Sequence, residues 1–326
     1  MYRRDFVIRL AIGGVLVALA AHGQPIAQRP RIGFLSPVWT RETNPILAGL
    51  LKGLRELGYV EGDTLAIEYR GAEGRAERLR ELAAELVRLN VDVIVAVAAP
   101  AIQAAKEATP TIPIVMAFSS DPVHSGFVTT LARPGGNVTG LTLLTPDLSA
   151  KRLEFLKSAF PAMSLVAVLA NPRNEASPQQ LREIQAAAQA LKLRVQILEA
   201  WEPRQLRGAF SALPRTRAGL VVLSDPMLFA ERRQIMELAR KRRSPVVSDW
   251  REMAEAGGLI AYGPNLDHLA QRAATYVDKI LKGSRPADLP VEQPTRFELV
   301  INVKTARALR LSIPQSLLLR ADLIIE

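Results

Sequence analysis

The residue types in this chain that could do chemistry sit where apolar runs stop. Ile112 to Phe118 is an apolar run that breaks on Ser119-Ser120-Asp121-Pro122, and Leu220-Val221-Val222-Leu223 breaks in the same manner on Ser224-Asp225-Pro226. Taken singly, Ser-Asp-Pro is the material of an ordinary turn. Its repetition in two matching contexts points to a shared task. Ser36, Ser119 and Ser120, with helix starts nearby, supply donors for a carboxylate or for hydroxyls, whereas Asp121, Asp225 and Asp249 supply acceptors for an ammonium or for hydroxyls. Trp39, Trp250 and Tyr262 follow strand ends and offer faces to an apolar or sugar surface, although each aromatic alone is equally suited to core or rim packing. In Ala98-Ala99-Pro100 the small Ala99 lets a ligand approach the backbone or a helix pack closely. Asn171, Asn174 and Ser224 complete the set of polar strand ends. These thirteen candidate ligand-binding residues suit holding a small zwitterion or polyol.

They do not make a catalytic engine. The chain has three histidines, His22, His124 and His268; His124 lies just after Asp121-Pro122 with no nucleophile motif beside it, and His268 sits on a helix. A loop histidine with its hydrogen bonds satisfied is the simpler expectation. No phosphate loop of the Gly-x-x-x-x-Gly-Lys kind occurs, and Gly135-Gly136-Asn137-Val138-Thr139-Gly140 precedes a strand instead of opening a helix, so it is no dinucleotide fingerprint. No histidine and carboxylate cluster has metal-ligand spacing. The expectation is a protein without catalysis, cofactor or metal.

Strands and helices must position these residues, and length and composition say how. With 326 residues, 48% hydrophobic and 23% charged, the chain suits two globular domains of about 130 to 150 residues each. Cysteine is absent, which removes disulfides, thiolate chemistry and a lipidated cysteine after a leader. Residues 1–28 read as an export signal: Arg3-Arg4 then Phe6 resembles a twin-arginine leader, Leu10 to Ala21 is apolar but too short to span a bilayer, and Ala21-His22-Gly23 offers a cleavage site. Residues 1–23 carry Arg3, Arg4, Arg9 and Asp5, a net +2 of the total +10, so the mature chain keeps +8. The cations lie on helices beside acids, as in Arg75-Ala76-Glu77-Arg78-Leu79-Arg80-Glu81, or at a helix end, as in Arg240 to Arg243, which favours solvated faces over a nucleic-acid surface.

Strand and helix patterns alternate from Arg31 onward. Strands are expected at Arg31 to Leu35, Leu65 to Tyr69, Val93 to Val97, Ile114 to Phe118 and Val138 to Thr142, with helices at Pro45 to Leu57, Arg75 to Leu89 and Ala101 to Ala108 between them. The pattern then restarts. Helices at Leu148 to Phe160, Ser177 to Leu191, Glu202 to Leu213, Leu228 to Arg240 and Leu266 to Leu281 alternate with strands at Leu165 to Leu169, Val195 to Leu198, Leu220 to Leu223, Val246 to Trp250 and Gly257 to Gly263. A Pro-rich stretch from Arg285 leads through Phe297 to Asn302 and a short helix to Leu323-Ile324-Ile325. The fold class is α/β: two doubly wound parallel-sheet lobes joined by a hinge near 142–148, strand ends facing across a cleft.

Several stretches in order carry a resemblance. Tyr59-Val60-Glu61-Gly62, Phe118-Ser119-Ser120-Asp121-Pro122-Val123, Arg133-Pro134-Gly135-Gly136-Asn137-Val138-Thr139-Gly140, Arg251-Glu252 before Ala256-Gly257-Gly258, and Leu289-Pro290-Val291-Glu292-Gln293-Pro294-Thr295 are similar to the tryptophan/tyrosine-type ABC transporter substrate-binding proteins. The resemblance runs from leader to C-terminus and implies a type I periplasmic-binding-protein fold with three crossings between lobes. Lobe 1 is then 29–143 plus about 266–292, and lobe 2 is 144–265 plus about 293–326. It further implies a periplasmic receptor, soluble and not lipid-anchored, that captures a small molecule (an amino acid or a related polar or aromatic solute) and delivers it to an inner-membrane ABC permease with its ATPase. A monomer without nucleic-acid partners is expected. A ligand-sensing module for a membrane signalling protein would use the same cleft with another docking surface. A two-lobe repressor would need a helix-turn-helix head where this chain carries its export signal.

Overall fold

The computed structural model describes residues 29–143, 148–174, 176–214 and 218–326. The expected export signal at 1–28, the middle of the expected hinge and Glu175 therefore lie outside the described residues. In the first half, β1 (Arg31–Ser36), α1 (Pro45–Glu56), β2 (Ala66–Gly71), α2 (Leu79–Arg88), β3 (Val93–Val97), α3 (Ala98–Ala108), β4 (Ile114–Ser119) and β5 (Val138–Thr142) alternate. The sheet order is β2-β1-β3-β4-β5, all parallel. β3, β4 and β5 are buried along their whole length, as strands covered on both faces must be, and so read as unbroken apolar runs.

The second half runs α4 (Leu148–Ala159), β6 (Leu165–Ala170), α5 (Ser177–Ala190), β7 (Arg194–Glu199), α6 (Leu206–Ser211), β8 (Ala218–Val222), α7 (Pro226–Ala230), α8 (Arg232–Arg242), β9 (Val246–Ser248), α9 (Arg251–Glu255) and β10 (Ile260–Pro264). There follow α10 (Leu266–Leu281), β11 (Phe297–Asn302), α11 (Val303–Leu309), α12 (Gln315–Leu318) and β12 (Leu323–Ile325). The second sheet is ordered β12-β11-β10-β9-β8-β6-β7 and is parallel except where β11 meets β10. This is the doubly wound two-lobe α/β architecture expected from the alternation.

Three departures from the expected elements have local causes. The helix expected at Leu228 to Arg240 is two helices, because Asp225 caps α7 with Pro226 in its first turn and a break at Glu231 separates α7 from α8. β9 stops at Ser248, which leaves Asp249 and Trp250 free as a tip. α3 begins at Ala98, whose φ of 63° turns the chain sharply from β3 into the helix.

The last third of the chain does not stay with one sheet. α10 packs along α1 and against β3, β4 and β5 of the first sheet, while β11 and β12 close the edge of the second. Between them, residues 289–292 are tied to the first sheet. The Thr139 hydroxyl donates to the Leu289 carbonyl at 2.6 Å, Tyr276 Oη donates to the Pro290 carbonyl, and Arg272 clasps Glu292 with Nε and Nη2 both at 2.7 Å. Burial raises the Tyr276 phenol, with the Glu292 charge adding to it.

Candidate functional site

The carboxyl ends of β3 and β4 in the first sheet and of β6, β8 and β9 in the second border one cleft. Both Ser-Asp-Pro tips use their carboxylate as a local cap. Asp121 Oδ1 accepts from the Val123 and His124 amides at 3.2 and 3.0 Å, and Asp225 Oδ1 accepts from the Leu228 amide at 2.9 Å. Their surroundings then diverge. Asp121 is half-buried, whereas Asp225 is buried and its Oδ2 also accepts from Asn171 Nδ2 at 3.0 Å and Asn174 Nδ2 at 2.9 Å. Burial pushes the Asp225 carboxyl above the usual carboxylate range, and these donors pull it back.

One part of the cleft is apolar. Trp39 from the loop after β1 meets Phe229 of α7 edge to face, ring centroids 5.4 Å apart, and Phe118 of β4 meets Trp250 after β9 at 5.7 Å. Each pair takes one ring from either side of the cleft. Trp39 is held from behind, because Tyr69 Oη donates to its carbonyl at 2.6 Å, and Tyr69 Oη in turn receives Asn44 Nδ2 at 3.3 Å. Ala99 and Pro100 form the floor on the first-sheet side, and Leu143 and Leu266, at two of the crossings, line the same space.

The adjoining part is polar and shares Ser120, Leu143, Ser224 and Trp250 with the first. Arg152 projects from α4 and donates Nε to the Tyr262 carbonyl at 2.7 Å. Beside it stand Asp249 and Glu183. Glu183 is engaged, since Ser149 Oγ donates to it at 2.7 Å and Gln179 Nε2 at 3.2 Å. Asp249 is pushed up by burial, and the Arg152 charge and the Ser224 hydroxyl oppose that shift. Arg152 is pushed down by burial, with Asp249 foremost among the charges that oppose it. No nitrogen of Arg152 comes within the 4.0 Å of an ion pair to any carboxylate among the described residues. Gly263 fixes the Asp249 tip from behind, because a Cβ there would collide with the Asp249 carbonyl. No group of three or more His, Asp or Glu among the described residues is placed to hold a metal ion.

Of the thirteen residues singled out in the sequence, nine line this cleft: Trp39, Ala99, Ser120, Asp121, Asn174, Ser224, Asp225, Asp249 and Trp250. Four stand behind its walls. Ser36 is fully buried and accepts from Asn44 Nδ2 at 3.0 Å, which sets the N-cap of α1. Ser119 is buried with its hydroxyl unpartnered, Asn171 holds Asp225 and the start of the following turn, and Tyr262 packs its ring edge to face on Phe155 at 5.1 Å. Ser36 and Ser119 end their strands and Tyr262 lies within β10, where the pleat turns a side chain away from the opening, while Asn171, just after β6, spends its side chain on Asp225 and the turn. Phe118, Phe229, Arg152, Glu183 and Gln180 also line the cleft and are not among the thirteen. Phe118 closes a core-like run and Arg152 and Gln180 are ordinary polar residues of helices, so no local pattern marks them. Phe229, three residues after Pro226, could have been found from the short helix that the Asp225 cap begins.

Comparison with known proteins places these features in context. Residues 32–325 match the family described as ABC transporter substrate binding protein. A tyrosine-binding protein of Clostridioides difficile (strain R20291) is 28% identical over 262 residues, 80% of this chain and 75% of that protein. The structure of an ABC domain in complex with L-Trp from Streptococcus pneumonia is 27% identical, superposes with a TM-score of 0.85, and is covered completely by 91% of this chain. A ligand-free, open structure of a substrate binding protein with adhesive properties from Clostridium difficile is 25% identical over 91% of this chain and 99% of its own, yet its TM-score is 0.67.

Proposed function

Since the chain belongs to the ABC transporter substrate binding protein family, we propose that it is a periplasmic receptor that closes on an aromatic amino acid and delivers it to an ABC importer. One observation carries the reading. A chamber walled by two aromatic pairs opens directly into one lined by both Arg152 and Asp249. An aromatic ring fits the first and a zwitterionic head the second, because stacking surface and opposite charges are what each end of such a solute exchanges for water. The relatives that bind tyrosine and L-Trp support the choice of cargo.

Lobe 1 in this reading is 29–143 with about 266–292, and lobe 2 is 144–265 with about 293–326, so that α10 and the final strands bind the crossings to both lobes. The arrangement corresponds to the closed state. Identity and coverage hardly differ between the L-Trp complex and the open relative, yet the TM-score falls from 0.85 to 0.67, the effect expected when two rigid lobes are rotated apart. A ligand that touches both lobes favours closure by the difference in its contacts with the two states.

The test is a thermal-shift screen, followed by titration calorimetry, of ligand-stripped mature protein against amino acids, sugars and purines. Saturable stabilisation by L-tyrosine, L-tryptophan or L-phenylalanine is expected, about 3 kcal/mol at a hundredfold excess over Kd. Stabilisation only by a sugar or a purine, or by none of these solutes, would sink the aromatic-cargo reading.

A further inference from the structure

Among the described residues, Arg152 is the one Arg or Lys whose side chain lines the polar chamber, and the bonding of its guanidinium is half complete. Nε is committed to the Tyr262 carbonyl, which fixes the plane of the group, while Nη1 and Nη2 have no hydrogen-bond acceptor among the described residues. Neither terminal nitrogen belongs to the fully buried polar atoms without a partner, and Arg152 lines the chamber. Neighbouring acids do not neutralise it. Glu183 spends both carboxylate oxygens on Ser149 and Gln179, and Asp249 stands close enough to feel the charge but outside ion-pair range. A fork of two N–H groups aimed at space, beside a buried carboxylate it does not touch, is matched to a ligand that bears both charges on one carbon.

We propose that Arg152 anchors the ligand carboxylate and Asp249 receives its ammonium, so that this pair sets the preference for a free amino acid over its amide or amine. This rests on the reading of the cleft as an amino-acid site and adds its selectivity: amides, amines and residues within a peptide are refused. The pre-set guanidinium plane makes the anchor bidentate, and the cost of leaving Arg152 uncompensated in a closed cleft is what rejects a ligand without the carboxylate. The ring then points along Trp250 into the aromatic chamber, since Trp250 borders both spaces. Ser120, on the opposing wall, borders both spaces and is placed to meet the head group.

Calorimetric titration of the mature protein with L-tyrosine, L-tyrosinamide, tyramine and 3-(4-hydroxyphenyl)propionate, and with the corresponding indole series, tests this on the wild type alone. The acid is expected to bind on the order of a hundredfold tighter than its amide or amine. In Arg152→Gln that preference is expected to shrink to within about tenfold, with affinity for the amide little changed. Arg152→Lys, which keeps the charge but not the fork, is expected to fall between the two. Asp249→Asn is expected to weaken tyrosine and tyramine together and to spare the propionate. Equal binding of acid and amide by the wild type would overturn the assignment while leaving the aromatic cargo intact, whatever the variants do. Failure of every aromatic amino acid to bind would instead remove the reading on which it stands.

Discussion

At the scale of single residues, the acids of the cleft have different jobs despite similar sequence surroundings. Asp225 has both oxygens occupied by Leu228, Asn171 and Asn174, so it shapes the wall, whereas Asp249 has the neighbour suited to pairing with a zwitterion. Glu252 is the informative outlier. Its Oε2 is buried without a partner, and burial raises its carboxyl above the ordinary range, with the nearby Glu255 charge adding to the shift and Arg232 opposing it. A carboxyl whose folded pKa is raised binds its proton more tightly in the native state. Its contribution is then full below the unfolded value and is lost as pH rises through the folded one. Glu252→Gln is accordingly expected to raise the melting temperature at neutral pH, and the gain is expected to vanish as pH falls to about 4. Thermal melts across that range check it, and a pH-independent difference would contradict it. The strand-end acids and Trp residues could be read from sequence because they interrupt apolar runs. Arg152 could not, since a charged residue on a polar helix face is the default and only its neighbours distinguish it.

At the scale of elements, the repeated Ser-Asp-Pro phrase builds two tips with the same capping logic, and the short helix α7 that the second begins carries Phe229 into the cleft. α10 is the element whose sequence and placement come apart. Its amphipathic period reveals a helix but not a neighbour; the resemblance implied a return to the first lobe, and the helix packs on the first sheet. The contact with α1 explains the choice. Gly49 and Gly53, four apart on α1, let the helices approach so closely that a Cβ on Gly53 would come within 2.8 Å of the Gln271 carbonyl and 2.9 Å of Ala274 Cβ. Gly53→Val is expected to destabilise the protein by about 1–3 kcal/mol through overpacking. Chemical denaturation measures it. An unchanged midpoint would mean that the two helices can slide apart freely.

At the scale of the whole molecule, the proposed function requires an equilibrium between open and closed lobes. Trp39 with Phe229 and Phe118 with Trp250 bridge the cleft as two independent aromatic contacts. Such a pair contributes about 1 kcal/mol beyond its burial, so removing one should shift closure about fivefold toward the open form. Trp39→Ala and Phe229→Ala are each expected to weaken ligand affinity by at least that factor. They should also enlarge the radius of gyration of the unliganded protein in small-angle scattering. The double variant should cost less than the two single effects added, because the second change removes a partner already lost. Full additivity would show that the rings do not cooperate across the cleft.

The order of strands and helices, the two-lobe α/β class and most of the polar strand ends were legible in the sequence, because each depends on neighbours along the chain: a run, a period, a cap. Which tips oppose one another and which charge stays unpaired were decided by tertiary structure. Those properties depend on distances between residues far apart in the chain. Arg152 and Asp249, or Trp39 and Phe229, acquire meaning only once the two sheets are set face to face.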